Sequence, residues 1–208
     1  GPLSSWRGKV QVLGFPVLLP GGPVPAHEGV RCVFCGSLYP TLREPDFTLE
    51  LFTALNAPDL TLTMAGRGWE PFEAAAQRAQ GVLGARFVRP GLLPPEKAAE
   101  LESRADILLS LGNAFDNQMP SKLFSYLGTG KPLLHLAVTD TDPTLPYLAK
   151  YPLALVLHKK NGVTPEVVDT LRRWLTDVQG QCLPYAQVAA LYPEFTPEVV
   201  AQTFIGRI

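Results

Sequence analysis

The sequence contains few of the residues from which metal and redox sites are built: three cysteines and three histidines among 208 residues. Three cysteines cannot all pair, and such sparse use is typical of a reducing compartment. Cys32 and Cys35 form a C-x-x-C that could hold zinc or act as a redox pair. They fall within a predicted strand, where residues three apart point to opposite faces. No second cysteine pair exists, so core cysteines are the favoured interpretation.

Long apolar runs and an excess of one charge are also missing. The net charge of -1 argues against a general attraction to nucleic acid. No apolar run approaches the length that crosses a bilayer, and no signal peptide is visible. The cysteine use that suits a reducing compartment leads us to expect a cytoplasmic protein. The dinucleotide and P-loop glycine motifs are absent, which argues against a hydride-transferring enzyme or a P-loop ATPase; Gly66-Arg67-Gly68 is only a partial fingerprint.

The first residues predict a linker followed by one main domain. Residues 1–5 resemble the remnant of a cleaved purification tag. Residues 14–26 hold four prolines and three glycines, which suits a semi-extended linker. We expect residues 6–28 to be the remnant of a preceding domain and its linker. Residues 29–180 would form the main domain, and residues 181–208 a helical tail.

Predicted strands and helices alternate along that main domain. This alternation predicts an α/β, Rossmann-like parallel sheet with helices on both faces. Asp46, Asp142 and Thr164 are predicted to be helix N-caps. Strands are predicted at residues 30–35, 60–65, 86–88, 107–111, 132–136 and 154–157. Helices are predicted at residues 47–57, 71–83, 95–104, 120–127, 143–150 and 165–178, and around 185–191 and 197–205.

Glycines and cations follow the predicted strands, where parallel sheets bind ligands. Arg43, Arg67 and Arg89 follow the first three strands, and Asn113 follows the fourth. Lys122 falls in the first turn of the next helix, the unfavourable end of the dipole for a cation. A bound phosphate would explain Lys122, and a solvated lysine is the alternative. Glycine-rich turns and surface arginines are common, but their convergence favours an anionic ligand such as a nucleotide.

Two further polar features have ordinary structural explanations. Asp140 and Asp142 could together hold a divalent cation, but Asp142 precedes a proline at a predicted helix start and suits an N-cap. His135 closes a buried strand and is interpreted as a core histidine with satisfied hydrogen bonds. No Ser/His/Asp nucleophile pattern is readable from the sequence.

Four segments in this order resemble a known family. They are GSLYPTLREPDFTLELF, LTLTMAGRG, ARFVRPGLLPPEKAAELESRADILLSLGN and MPSKLFSYLGTGKPLL. Over residues 30–157 the chain resembles the C-terminal, donor-binding domain of GT-B glycosyltransferases of the GT4-like type (glycosyl transferases group 1).

The resemblance implies a UDP- or GDP-sugar donor and a glycan or lipid-linked acceptor, as in bacterial surface polysaccharide synthesis. It also implies an N-terminal acceptor domain that precedes this one. Membrane contact would then come only through that other domain, at the inner face of the membrane. No metal and no cofactor are expected.

The same resemblance implies which residues hold the donor. Gly36 and Ser37 would lie near the diphosphate, Arg89 and Leu92 beside the base, and residues 117–122 near the sugar. The full implied set is Gly36, Ser37, Arg43, Arg67, Arg89, Leu92, Asn117, Gln118, Ser121, Lys122 and Ser125.

The chain departs from the family at two of these positions. Members often carry glutamates where this sequence has Asn117 and Ser125, and the second glutamate usually holds the ribose. Because both glutamates are missing, a degenerate, non-catalytic domain remains an alternative interpretation. A GT-B-fold nucleotide-sugar epimerase is a further alternative, although the few histidines count against the proton transfers it needs.

Overall fold

The computed structural model describes residues 14, 16–22, 24–120 and 122–206. The expected tag remnant, most of the first half of the expected linker and Ser121 therefore lie outside the described residues. The strands are β1 (Val30–Cys35), β2 (Leu60–Ala65), β3 (Phe87–Val88), β4 (Ile107–Leu111), β5 (Leu133–Ala137) and β6 (Ala154–His158). The α-helices are α1 (Asp46–Leu55), α2 (Glu73–Leu83), α3 (Pro95–Ser103), α4 (Lys122–Gly128), α5 (Leu145–Leu148), α6 (Pro165–Val178), α7 (Tyr185–Leu191) and α8 (Pro197–Ile205).

The six strands form one parallel sheet in the order β3-β2-β1-β4-β5-β6. The predicted fold class is thereby confirmed. The order reverses between β1 and β4, so the connections leave these two neighbours in opposite directions. A crevice opens at the carboxyl ends of strands at such a reversal, where open parallel sheets bind ligands.

The sheet is covered on both faces by separate hydrophobic clusters. Cys32 belongs to one cluster and Cys35 to the other, as expected for residues three apart in a strand. Burial raises the pKa of Cys35 to about 12, with the charge of Glu102 adding to the effect, and burial also raises the pKa of Cys32. Both remain thiols at neutral pH, which confirms the interpretation as core cysteines.

Two of the three predicted helix caps are wrong. Asp46 is the first residue of α1 and the residue before it, Pro45, makes no side-chain cap; a carboxylate in this first turn still favours the helix dipole. Helix α5 begins only at Leu145 with Thr144 at its N-cap position, so Asp142 lies outside the helix; its carboxylate accepts from the Thr144 amide and lies 3.0 Å from His135 Nε2. Thr164 does cap α6, accepting a hydrogen bond from the Val167 amide.

The described part of the expected linker is docked rather than free. Leu18 is completely buried. Its amide donates to the Phe195 carbonyl at 3.1 Å, and its carbonyl accepts from the Tyr185 hydroxyl at 2.7 Å. This segment therefore packs on the helical tail. No helix within the described residues is long and apolar enough to cross a bilayer.

Candidate functional site

The loops that leave the first four strands are joined by backbone hydrogen bonds into one rim. Each loop holds the next across the carboxyl edge of the sheet, so side chains far apart in sequence are brought to one surface. The bonds run from Leu38 N to Arg67 O at 2.9 Å, from Gly66 N to Gly91 O at 2.8 Å and from Ala114 N to Leu42 O at 2.9 Å.

Gly66 makes this close approach possible. Its φ of 145° lies in a region that side chains rarely adopt, and a Cβ there would overlap the Gly36 carbonyl. The backbone after β2 can therefore lie directly against the backbone after β1. Gly66 of the rim therefore allows the two loops to pack closely, and this packing explains this glycine without a ligand.

Arg43 is fixed at the reversal between β1 and β4. Its Nη2 and Nε donate to the Asn113 Oδ1 at 2.7 and 3.1 Å, and its Nη1 reaches the Ser37 carbonyl at 3.4 Å. Asn113 follows β4 and is only 3% exposed. Its Nδ2 in turn faces the Gln118 side-chain and backbone oxygens at 3.4 and 3.5 Å. The structure thus brings together four residues that sequence analysis placed near the strand ends: Ser37, Arg43, Asn113 and Gln118.

The charge of Arg43 is not neutralised by the protein. Burial lowers its pKa, but a guanidinium keeps its proton at neutral pH. Across residues 16–22, 24–120 and 122–206, no carboxylate forms an ion pair with it. A partly buried cation held by neutral groups retains its full attraction for an anion.

Tyr39 and Arg67 extend this cluster. Tyr39 is 42% exposed, and hydrogen bonds with Ser37 and Arg67 lower its pKa. Arg67 is exposed and its backbone anchors the loop of β1, as described above. Sequence reasoning missed Tyr39, although a large aromatic residue in the loop that follows a strand is a usable signal for a ligand-facing side chain.

Arg89 lies at the outer edge of the sheet and is already paired. Its Nη1 and Nη2 bind the Glu73 carboxylate at 2.8 and 3.1 Å, and its guanidinium carbon lies 5.1 Å from the Trp69 ring centroid. Leu92, expected beside the same ligand group, is 70% exposed. The expected role of both at the base stays a prediction.

Lys122 has a partner within the protein. Its Nζ forms an ion pair with Glu102, whose Oε1 also accepts from the Tyr126 hydroxyl at 2.8 Å. This pair explains a cation at the start of a helix without an anionic ligand.

The remaining predicted residues are dispersed around α4. Asn117 and Ser125 are exposed, and the Ser125 hydroxyl donates to the Lys122 carbonyl. The side chains at 117 and 125 therefore offer an amide and an already engaged hydroxyl, and no carboxylate stands at either position. Ser121 is outside the described residues.

A cavity of about 540 Å³ opens at the opposite, amino-terminal edge of the sheet. Three of its polar side chains already have partners: His27 binds Asp106 at 3.1 Å, and Lys131 Nζ donates to the Glu102 and Ser103 carbonyls at the end of α3. These contacts tie residues 24–30 and α3 to the sheet. The cavity is therefore separate from the candidate site.

No cluster of three or more metal-ligating side chains occurs in the part of the chain that the structure describes. Asp140 and Asp142 in particular do not converge: Asp140 is exposed and pairs with Lys160 and His158, whereas Asp142 is buried against His135. The two carboxylates of the D-T-D segment thus serve different contacts.

Comparison with solved structures decides the fold. The chain is similar to the C-terminal domain of a glycosyl transferase group 1 family protein, LpcC, from Francisella tularensis (TM-score 0.57, 11% identity, 93% of this chain and 98% of that one). The fold is that of the C-terminal domain of a GT-B glycosyltransferase. The resemblance found in the sequence is confirmed at the level of the fold.

Longer chains with this fold are also similar over nearly all of this chain. Sucrose-phosphate synthase from Thermosynechococcus elongatus gives a TM-score of 0.63 at 16% identity, over 97% of this chain and 53% of that one. Anabaena HepE, in complex with UDP and glucose, gives 0.63 at 12% identity, over 93% and 54%. The chain thus spans about half the length of these enzymes. No family model matches the sequence, and no curated protein matches it.

Proposed function

We propose that this chain is the donor-binding domain of a glycosyltransferase, and that the carboxyl edge of its sheet binds the diphosphate of a UDP- or GDP-sugar. The observation that carries the proposal is Arg43, a partly buried cation without a carboxylate partner in the described chain, fixed by Asn113 at the reversal of strand order. The GT-B fold, one example of which was solved with UDP and glucose, supports the nucleotide as the anion.

Arg43 would carry out the main chemical task of this domain. In glycosyl transfer the nucleoside diphosphate leaves with growing negative charge, and a positioned cation stabilises that charge best in the transition state. Arg67, exposed beside Tyr39, would add a second cation to the same rim. The donor enters as a substrate, and neither a resident metal nor a cofactor is part of the proposal.

The whole enzyme would include an N-terminal domain that binds the acceptor, a glycan or a lipid-linked sugar. The chain's match to about half the length of full GT-B enzymes supports this. We place such an enzyme in the cytoplasm, at the inner face of a bacterial membrane, where surface polysaccharides are built. Sugar, base and acceptor would then be selected jointly by the two domains.

Calorimetric titration with UDP, GDP and ADP tests the proposal. One nucleotide is expected to bind saturably, and Arg43→Ala is expected to weaken it about tenfold or more, since charge-assisted hydrogen bonds are lost. Arg104→Ala, which removes an exposed arginine paired with Glu100 far from the rim, is the matched control and should bind normally. Absence of saturable binding up to about 10 mM, or equal affinity in both variants, would contradict the proposal.

A degenerate domain without catalytic function is the second candidate. The observation in its favour is that Lys122 and Arg89 are both held by carboxylates and that residues 117 and 125 offer none for a ribose. This candidate predicts no nucleotide binding at all, so the same titration separates it from the donor-binding domain. If a nucleotide binds, Lys122→Ala tests that residue: a loss of affinity assigns Lys122 to the donor site, whereas unchanged affinity leaves it as the partner of Glu102 alone.

A further inference from the structure

A buried chain of hydrogen bonds lies directly beneath the candidate site. Ser110 on β4, His135 on β5 and Asp142 in the following loop are 7%, 0% and 3% exposed. His135 Nδ1 lies 3.0 Å from the Ser110 hydroxyl, and His135 Nε2 lies 3.0 Å from Asp142 Oδ2. Thr144 completes the chain, since its hydroxyl and amide both donate to Asp142 Oδ1, at 2.7 and 2.9 Å.

The Asp142 carboxylate only accepts, so His135 Nε2 donates to it, and the same nitrogen also lies 3.2 Å from the Thr144 hydroxyl. The other ring nitrogen, Nδ1, shares its hydrogen bond with the Ser110 hydroxyl. The arrangement has the residue types of a nucleophilic triad, but the Ser110 hydroxyl is buried beneath the end of β4 and cannot meet a substrate. Any influence of this chain on the candidate site must therefore pass through neighbouring groups.

The neighbouring group is the backbone at the end of β4. A Cβ on Gly112 would lie 2.6 Å from Asp142 Oδ2 and 3.0 Å from the Leu136 carbonyl, so the carboxylate occupies the space that glycine leaves. The Gly112 amide is itself tied to Leu136 O at 2.9 Å. Asn113, the next residue, is the group that holds the Arg43 guanidinium.

We propose that the Ser110–His135–Asp142–Thr144 chain is a positioning device that sets the backbone at Gly112 and thereby holds Asn113 and Arg43 in the orientation that receives an anion. His135 and Asp142 are positioning residues in this scheme, not catalytic ones. The consequence for an anionic ligand rests on the proposed function, whereas the effect on the Arg43 orientation does not.

The test therefore measures the hydrogen bonding of the Arg43 side chain in the protein without ligand. Hydrogen exchange of the Arg43 Nε–H, followed by NMR, reports its hydrogen bond to Asn113 without any ligand. Asp142→Asn is expected to speed this exchange about tenfold, because the hydrogen bond of the guanidinium opens more often. Asp140→Asn is the matched control: it changes an exposed aspartate two residues away, which also pairs with a histidine, and should leave the rate within about twofold of the original.

If Asp142→Asn does not fold, two milder variants allow the same measurement. Thr144→Val and Ser110→Ala each remove one hydroxyl from the chain and are expected to raise the same exchange rate several-fold. Unchanged Arg43 exchange in folded variants of the chain, with only the melting temperature lowered, would show a purely structural role and overturn the inference.

The proposed function can fail separately. If no nucleotide binds but Arg43 exchange still responds to Asp142, the positioning role stands and the donor assignment falls. If a nucleotide binds and Asp142→Asn weakens it in parallel with the faster exchange, both are supported.

Discussion

At the scale of single residues, the protein treats a partly buried cation and a buried anion differently. Arg43 keeps an unneutralised charge at the rim, whereas Asp142 is surrounded by donors below it. Burial raises the pKa of the Asp142 carboxyl, but hydrogen bonds from His135 and Thr144 outweigh that effect, and the net pKa is lowered. The protein thus stabilises the anion that it buries and leaves the cation open to a ligand.

This lowered pKa gives the stability of the protein a defined pH dependence. Because Asp142 binds its proton less readily when folded, its contribution is present above the unfolded pKa of about 3.9 and is lost as the pH falls through the lower folded value. We expect Asp142→Asn to reduce the free energy of unfolding by about 1–3 kcal/mol at pH 7. Urea denaturation from pH 7 to 3 should show this difference shrinking towards the acid end.

The exposed Asp140→Asn variant is the control for that series. Its effect should be small at every pH, since Asp140 is exposed to solvent. A difference between the Asp142→Asn and original proteins that grows on acidification would contradict the assignment of the ionised carboxylate.

Sequence reasoning found the cations of the site but not their partners. Arg43, Arg67 and Lys122 could be named because each follows a predicted strand. Glu102, which neutralises Lys122, lies on a helix twenty positions earlier in the chain, and only the packing of α3 beside α4 brings it close. Ion pairs between elements depend on this packing, so local sequence patterns do not reveal them.

At the scale of elements, the strands were predicted well and the helix starts less well. An apolar strand buried on both faces carries a strong local signal. The start of a helix is not fixed by a capping residue alone: α5 begins at Leu145, three residues after Asp142, although the Asp142 carboxylate accepts from the Thr144 amide. The Ser110–His135–Asp142–Thr144 chain joins two strands and a loop, so local sequence patterns did not reveal it.

The rim formed by the strand-end loops makes a prediction about its glycine. Gly66→Ala forces a side chain into the positive-φ region and against the Gly36 carbonyl, so we expect a loss of about 2 kcal/mol or more in stability. Gly81, on α2, has open space around it, and Gly81→Ala should stabilise the protein by about 0.5–1 kcal/mol. Equal effects in thermal or urea denaturation would show that the rim is not tightly packed.

At the scale of the whole molecule, the segment before the sheet packs on the helical tail, since the Leu18 amide and carbonyl bond to Phe195 and Tyr185. The prolines and glycines of residues 14–26 predicted a linker, and the described residues of that range (14, 16–22 and 24–26) form no helix or strand, in agreement with that composition. The docking of Leu18 against α7 and Phe195 could not be predicted from the sequence. A single apolar residue in a proline-rich segment gives no periodic pattern that would indicate burial.

Adjacent leucines test this docking. Leu18 is fully buried and Leu19 is 55% exposed. Leu18→Ala is expected to cost about 2–5 kcal/mol of stability through lost burial and a cavity, whereas Leu19→Ala should cost about 0.5 kcal/mol or less. Urea denaturation of both variants measures the difference, and similar small losses would mean that the segment does not stay on the domain.

The most direct test of the central claim is a nucleotide titration followed by NMR, because the claim concerns which edge of the sheet binds the anion. On addition of UDP or GDP we predict saturable shifts for the amides of Gly36, Ser37, Arg67 and Asn113 at the carboxyl edge. Amides around His27, Asp106 and Lys131 at the opposite edge should not move. Shifts confined to that opposite edge, or none at either edge, would contradict the account.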